Sequence, residues 1–133
     1  MPEVDSSLRQ YVRARASGCC EYCGISERFT LAEHEIDHVI ARKHGGATEE
    51  SNLALSCTLC NRFKGSDIAS IDPESSLLIP LFNPRTDRRE EHYRLHNGEF
   101  IALTAIGRAT VRLLRLNIPA RVRERNLLPH LLP

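Results

Sequence analysis

The 133-residue chain has no apolar run near the ~18 residues that a membrane-spanning helix requires, which excludes a helical membrane role. It has little net charge: 18 Lys and Arg against 17 Asp and Glu leave +1, so the molecule is not a uniformly basic nucleic-acid binder. Any phosphate contact must be local and sensitive to salt. Lysine is scarce. Only Lys43 and Lys64 are present, and every other basic residue among the 18 is arginine. Arginine suits forked contacts to phosphate, and a GC-rich genome yields the same bias. Internal repeats, low-complexity runs and an added helix-turn-helix are missing too. The segment Met1-Pro2-Glu3-Val4-Asp5 is acidic and polar, unlike a secretory leader. The expected compartment is therefore the reducing cytoplasm, where cysteine pairs hold metal or do redox work more often than they form static disulfides. With 41% hydrophobic and 26% charged residues, the composition is that of a soluble globular chain. Its length suits one domain, with a core small enough to benefit from a staple.

Local patterns give an α+β order. Asp5-Ser6-Ser7 caps a helix carrying Leu8, Tyr11, Val12 and Ala16 at helical spacing, and Ser17-Gly18 stops it. Cys19 to Gly24 reads as a tight knuckle. His34 to Ile40 alternates like a short strand, Gly45-Gly46 opens a loop, and Asn52 to Ser56 reads as a second strand. Thr58 to Lys64 is a short helix ended by Gly65. Residues 66–89 read as loop, with Leu77-Leu78-Ile79 and Leu81-Phe82 covering the core. His92 to His96 and Glu99 to Leu103 flank Asn97-Gly98, a strong hairpin signal. Thr104 caps a helix, Asn117-Ile118-Pro119 breaks it, and Ala120 to Leu132 reads as a last arginine-rich helix.

Four cysteines carry the strongest signal. Cys20 and Cys23 form one C-x-x-C, and Cys57 and Cys60 form another. Two such pairs supply the four thiolates of a tetrahedral structural zinc, a closed site with no position left for water. Cys19 is spare, since pairing it with Cys23 gives a looser C-x-x-x-C. The competing readings are a redox pair and unliganded core cysteines.

The stretch His34-Glu35-Ile36-Asp37-His38-Val39-Ile40, then Gly45-Gly46, Asn52-Leu53 and Cys57-x-x-Cys60-Asn61-x-x-Lys64, resembles the HNH endonucleases. Pro80-Leu81-Phe82-Asn83-Pro84-Arg85, Glu91-His92-Tyr93 and Thr104 to Thr110 are similar to a bacterial subgroup of that family. The resemblance implies a zinc-stapled ββα-metal (HNH, His-Me finger) core with flanking helices and a C-terminal hairpin plus helix. It implies one nuclease domain over residues 1–133, with a motif core at about 18–67 and a hairpin-helix extension at about 77–133. Position by position, it makes Asp37 a ligand of a catalytic divalent ion, His38 the general base, and Asn52 the residue that holds the loop so that His38 points correctly. Asn61 falls where the family often has histidine. An amide oxygen is a harder ligand than imidazole, which shifts the expected ion toward Mg²⁺ or Mn²⁺.

The chemistry agrees from below. An imidazole with an ordinary pKa of ~6.5 can take a proton from water near neutral pH. Two protein oxygens leave most of an octahedral shell for water and phosphate. Lys64, one helical turn after Asn61, is expected at the DNA backbone, with Arg42, Lys43 and Arg62 as weaker candidates of the same kind. Adjacent strand residues point to opposite faces, so Asp37 and His38 are expected to flank one phosphate from two sides. Glu35 reads as a solvated strand residue, His34 as a neighbour, His44 as a loop residue, His92 and His96 as hairpin surface, and His130 as tail. Arg108, Arg112 and Arg115 read as a solvated helix face. The expected substrate is DNA, acted on by a monomer or homodimer. The alternative is a non-catalytic, zinc-stabilised nucleic-acid-binding or adaptor module, which needs none of Asp37, His38, Asn52, Asn61 and Lys64 as a set.

Overall fold

The computed structural model describes residues 4–128. Asp5 caps helix α1 (Ser6–Arg15) by accepting from the Leu8 amide at 2.8 Å. Strands β1 (Glu35–His38) and β2 (Leu53–Ser56) pair antiparallel, with Asp37 opposite Ala54 and His38 opposite Leu53. Helix α2 (Thr58–Lys64) follows at once, so the expected strand, loop, strand, helix order is present. β2 is buried along its whole length, between α1 on one side and the cysteine cluster on the other. Val12, Leu53 and Leu55 make the α1 contact, and all three are fully buried. A strand buried on both faces reads as continuous rather than alternating hydrophobicity, as Leu53-Ala54-Leu55 does.

The region expected to be loop contains a hairpin, β3 (Ala69–Ile71) with β4 (Leu78–Pro80). Asp72 holds its turn through the Glu74 and Ser75 amides and the Ser75 hydroxyl. Leu81 and Phe82 are buried as expected, but Leu77 and Leu78 are exposed at 61% and 68%. They sit where the short hairpin projects beyond the core, so only the end of that apolar run covers it. Arg108 reaches back from α4 (Ala105–Leu113) with a two-pronged contact to Asp72, at 2.8 and 2.9 Å. It therefore ties helix to hairpin and does not belong to a solvated face.

A one-turn helix α3 (Arg89–His92) precedes β5 (Tyr93–His96), which pairs with β6 (Glu99–Ala102). His92 accordingly ends a helix and contacts the Thr104 hydroxyl at 2.7 Å, while His96 lies at the exposed turn. Asn97 and Gly98 both have positive φ, 51° and 80°, as a tight primed turn requires. Pro119 starts α5 (Pro119–Leu127), the first-turn position where its missing N–H costs nothing. The remainder of the expected last helix, and His130, lie outside the described residues.

An aromatic chain ties this C-terminal half to the first cysteine loop. Tyr22, Phe82, Tyr93 and Phe100 meet edge to face at 6.3, 5.7 and 5.3 Å between successive ring centroids. The Tyr93 hydroxyl donates to the Tyr22 carbonyl at 2.7 Å. Residues far apart in sequence thus share one core with the cysteines.

Candidate active site

Cys20, Cys23, Cys57 and Cys60 are buried, and their sulfurs all lie within 4.8 Å of one another. The backbone turns toward them: the Cys23 and Cys60 amides each lie 3.4 Å from the sulfur three residues earlier. Cys57 is also the N-cap of α2, so the positive end of that helix favours a thiolate there. Arg121 of α5 is buried against the cluster. Its guanidinium lies 3.3 Å from Cys60 Sγ and 3.8 Å from Cys57 Sγ, and it also donates to the Leu114 carbonyl. Four thiolates around a divalent ion carry net negative charge, and Arg121 offsets part of it. The donor set is the one structural zinc takes. Cys19 stays outside, with its sulfur near the Ser17 carbonyl.

The strand beside this cluster carries Asp37 and His38, which part to opposite sides as the pleat requires. Asp37 is 4% exposed. Its Oδ2 accepts from the Tyr22 hydroxyl at 2.6 Å and lies 3.2 Å from Lys64 Nζ. Oδ1 lies 3.3 Å from the same ammonium. Burial raises the Asp37 pKa above the ordinary carboxylate value, while Lys64 and the Tyr22 hydroxyl oppose that rise. Lys64 corrects an expectation: it is 2% exposed and faces Asp37 and the His38 carbonyl, so it is not presented to a DNA backbone. A buried carboxylate costs several kcal/mol unless it is paired, and Lys64 is the pair. Asn61 is half-buried one turn earlier on the same helix.

His38 is half-buried, and its Nε2 lies 2.9 Å from Thr48 Oγ1. Arg42 donates to the same hydroxyl oxygen at 3.0 Å. Partial burial holds the imidazole pKa below 6.5, Asp37 opposes this, and the Arg42 and Lys64 charges add to it. The ring is therefore mostly neutral at neutral pH.

Asn52 joins the ends of the loop between the strands. Its Oδ1 accepts from the Ile40 amide at 2.9 Å, and its Nδ2 donates to the Ile40 and Ala47 carbonyls, both at 2.9 Å. That clamp leaves no room at Gly46, where an added Cβ would lie 1.7 Å from the Ile40 carbonyl oxygen. Thr48, two residues after Gly46, is carried to His38 by this closure.

The HNH endonuclease family model matches residues 20–67. This segment is an HNH domain. The match begins at Cys20 and ends just past α2, so it spans both cysteine pairs, both strands and the loop that Asn52 clamps. HNH domains are generally nuclease domains. No curated protein and no solved structure matches the chain.

Within the HNH segment the structure brings Asp37, Lys64 and His38 together, with Asn61 on the same helix as Lys64. Arg42, Lys43 and Arg62 are exposed, as contacts to an external phosphate require. His44 and Glu35 are also exposed. His34 is buried, with Nε2 at 2.8 Å from the Ile25 carbonyl, and is a structural neighbour. Three residues escaped the sequence reading. Tyr22 had a usable signal, since it sits inside a C-x-x-C whose two cysteines join the buried cluster. Thr48 had none, being one polar residue in a polar loop. Arg121 is one of several arginines in its helix, and only the packing singles it out.

Proposed function

We propose that the protein is a metal-dependent endonuclease that hydrolyses DNA phosphodiester bonds, with His38 activating water. The observation that carries this reading is the pairing of adjacent residues in opposite roles: a half-buried neutral imidazole beside a buried carboxylate locked by two partners. Nε2 of His38 is taken up by Thr48, which leaves Nδ1 to act as the base. With the ring proton on Nε2, Thr48 accepts it and Nδ1 keeps the lone pair that a base needs. Asn52 and the close approach at Gly46 hold Thr48, and through it the ring, in place.

Asp37 and Asn61 are the residues that would hold the catalytic Mg²⁺ or Mn²⁺. Their fit rests on donor chemistry: an anionic and a neutral oxygen, with Oδ1 of Asp37 free of the Tyr22 bond. When bound, such an ion neutralises the charge that develops on the phosphate and leaving oxygens. Arg42, Lys43 and Arg62, all exposed, would take neighbouring phosphates, and Arg42 shares the Thr48 hydroxyl with His38. The four cysteines hold a structural zinc, which fits a reducing, cytoplasmic setting. In this reading residues 1–133 form a single nuclease domain of bacterial type, active as a monomer or homodimer.

The test is conversion of supercoiled plasmid to nicked circle by zinc-loaded protein. Conversion that needs added Mg²⁺ or Mn²⁺ and stops with EDTA is the expected result. A folded, zinc-loaded sample that never nicks plasmid under these conditions would overturn the reading.

A further inference from the structure

Asp37 already has a cation. Lys64 Nζ lies 3.3 Å from Oδ1 and 3.2 Å from Oδ2, and both side chains are almost fully buried. Asp37 and Lys64 bring opposite charges that face each other, while Asn61 and Tyr22 bring none. Among the described residues, the four cysteines are the one group of three or more His, Cys, Asp and Glu placed to share an ion. No third such side chain therefore joins Asp37 and His38. Asp37 offers a divalent cation a good oxygen donor, but the Asp37–Lys64 pair carries no net negative charge, and it places an ammonium beside that donor. At such distances like-charge repulsion is strong away from bulk water.

We propose that Lys64 is the resident counter-ion of Asp37 and that the catalytic divalent cation enters together with a DNA phosphate. This rests on the nuclease reading. The phosphate brings the negative charge that the Asp37–Lys64 pair lacks. Lys64 can yield Oδ1 without losing its place, because Nζ also donates to the His38 carbonyl at 3.2 Å. The His38 carbonyl thus keeps hold of the ammonium when Oδ1 is released. Free protein would bind the ion weakly, and DNA and ion would bind cooperatively.

The experiment is a Mn²⁺ titration followed by electron paramagnetic resonance. It uses the zinc-loaded full chain carrying His38→Ala, so that DNA stays intact. Binding is measured alone and with a short duplex, and the Asp37→Asn version of each sample identifies Mn²⁺ that depends on Asp37. The expected result is Asp37-dependent binding tightened about tenfold or more by the duplex. Adding Lys64→Met, with native circular dichroism, should tighten Mn²⁺ binding without DNA by a similar factor. If Lys64→Met does not fold, Lys64→Gln, which keeps a donor for Asp37 and the His38 carbonyl, takes its place. Binding as tight without the duplex as with it would overturn the proposal, as would no change in the folded Lys64 variant, and either would leave the nuclease reading standing. No Asp37-dependent Mn²⁺ in any sample would remove the metal site itself, and the nuclease reading with it.

Discussion

The Tyr22 hydroxyl donates a 2.6 Å hydrogen bond to Asp37 Oδ2, so the loop that carries two of the four clustered cysteines also fixes the candidate catalytic carboxylate. Burial and the Asp37 charge push the Tyr22 pKa well above its usual value, which keeps the proton on the donor. Removing a hydrogen bond to a buried charge costs about 1.5–3 kcal/mol. Tyr22→Phe should lose that much stability in urea and nick plasmid at least several-fold more slowly. Its zinc content, measured by mass spectrometry, should stay at the wild-type level. Loss of zinc would show that Tyr22 serves the cysteines rather than Asp37.

The cysteine cluster joins the first cysteine loop to α2 at the centre of the shared core. Structural zinc supplies about 10–16 kcal/mol in small zinc-binding peptides, comparable with the whole stability of a domain. Cys60→Ser should therefore lose its metal and its cooperative thermal transition together. A variant that melts like wild type without bound metal would contradict a structural role.

Arg121 predicts a subtler change. Replacing it with methionine keeps much of the packing volume but removes the charge 3.3 Å from Cys60 Sγ. Zinc should remain bound after purification but pass to a coloured chelator several-fold faster than from wild type. An unchanged transfer rate would mean that the guanidinium only packs.

Gly46→Ala tests the loop. The added methyl would lie 1.7 Å from the Ile40 carbonyl oxygen, which the Asn52 clamp holds in place. Neither backbone nor clamp can give way cheaply, so the cost should exceed about 2 kcal/mol. Nicking should fall further than stability alone explains, because Thr48 and His38 would lose register. Denaturant melts and nicking rates on the same samples separate the two effects.

The pH dependence follows from His38 and Asp37. The His38 pKa is held below 6.5, and the base works only when neutral. That of Asp37 is raised by burial, and the carboxylate works only when charged. Both groups become active on losing a proton. The kcat/KM of nicking should therefore fall as pH drops through an apparent pKa below 6.5 and stay level above it. A rise on the acid side would contradict a neutral imidazole base.

The HNH segment was the most legible part of the chain, because its chemistry is written in fixed spacings. The cysteine pairs, both strands, the Gly46 turn and α2 all lie where their residues indicate. The Asn97-Gly98 hairpin was equally plain, since that dipeptide takes positive φ at low cost. The β3–β4 hairpin was hidden because its turn is built by Asp72 and Ser75 side chains over a long loop, with no short turn signature. Lys64 was misread for a physical reason. Sequence places a lysine on a helix face, but only packing shows that this face meets Asp37 and is closed to solvent. Arg108 and Arg121 are the same case, charged residues whose partners come from distant segments.

The most direct test of the account is plasmid nicking by His38→Ala beside wild type, with matched zinc content and circular dichroism. Wild type should nick with Mg²⁺ or Mn²⁺, and the variant should lose at least about a hundredfold, the usual contribution of a positioned base. Equal nicking by the two would contradict it. Wild type that binds DNA but never nicks it would instead identify a zinc-stabilised binding module.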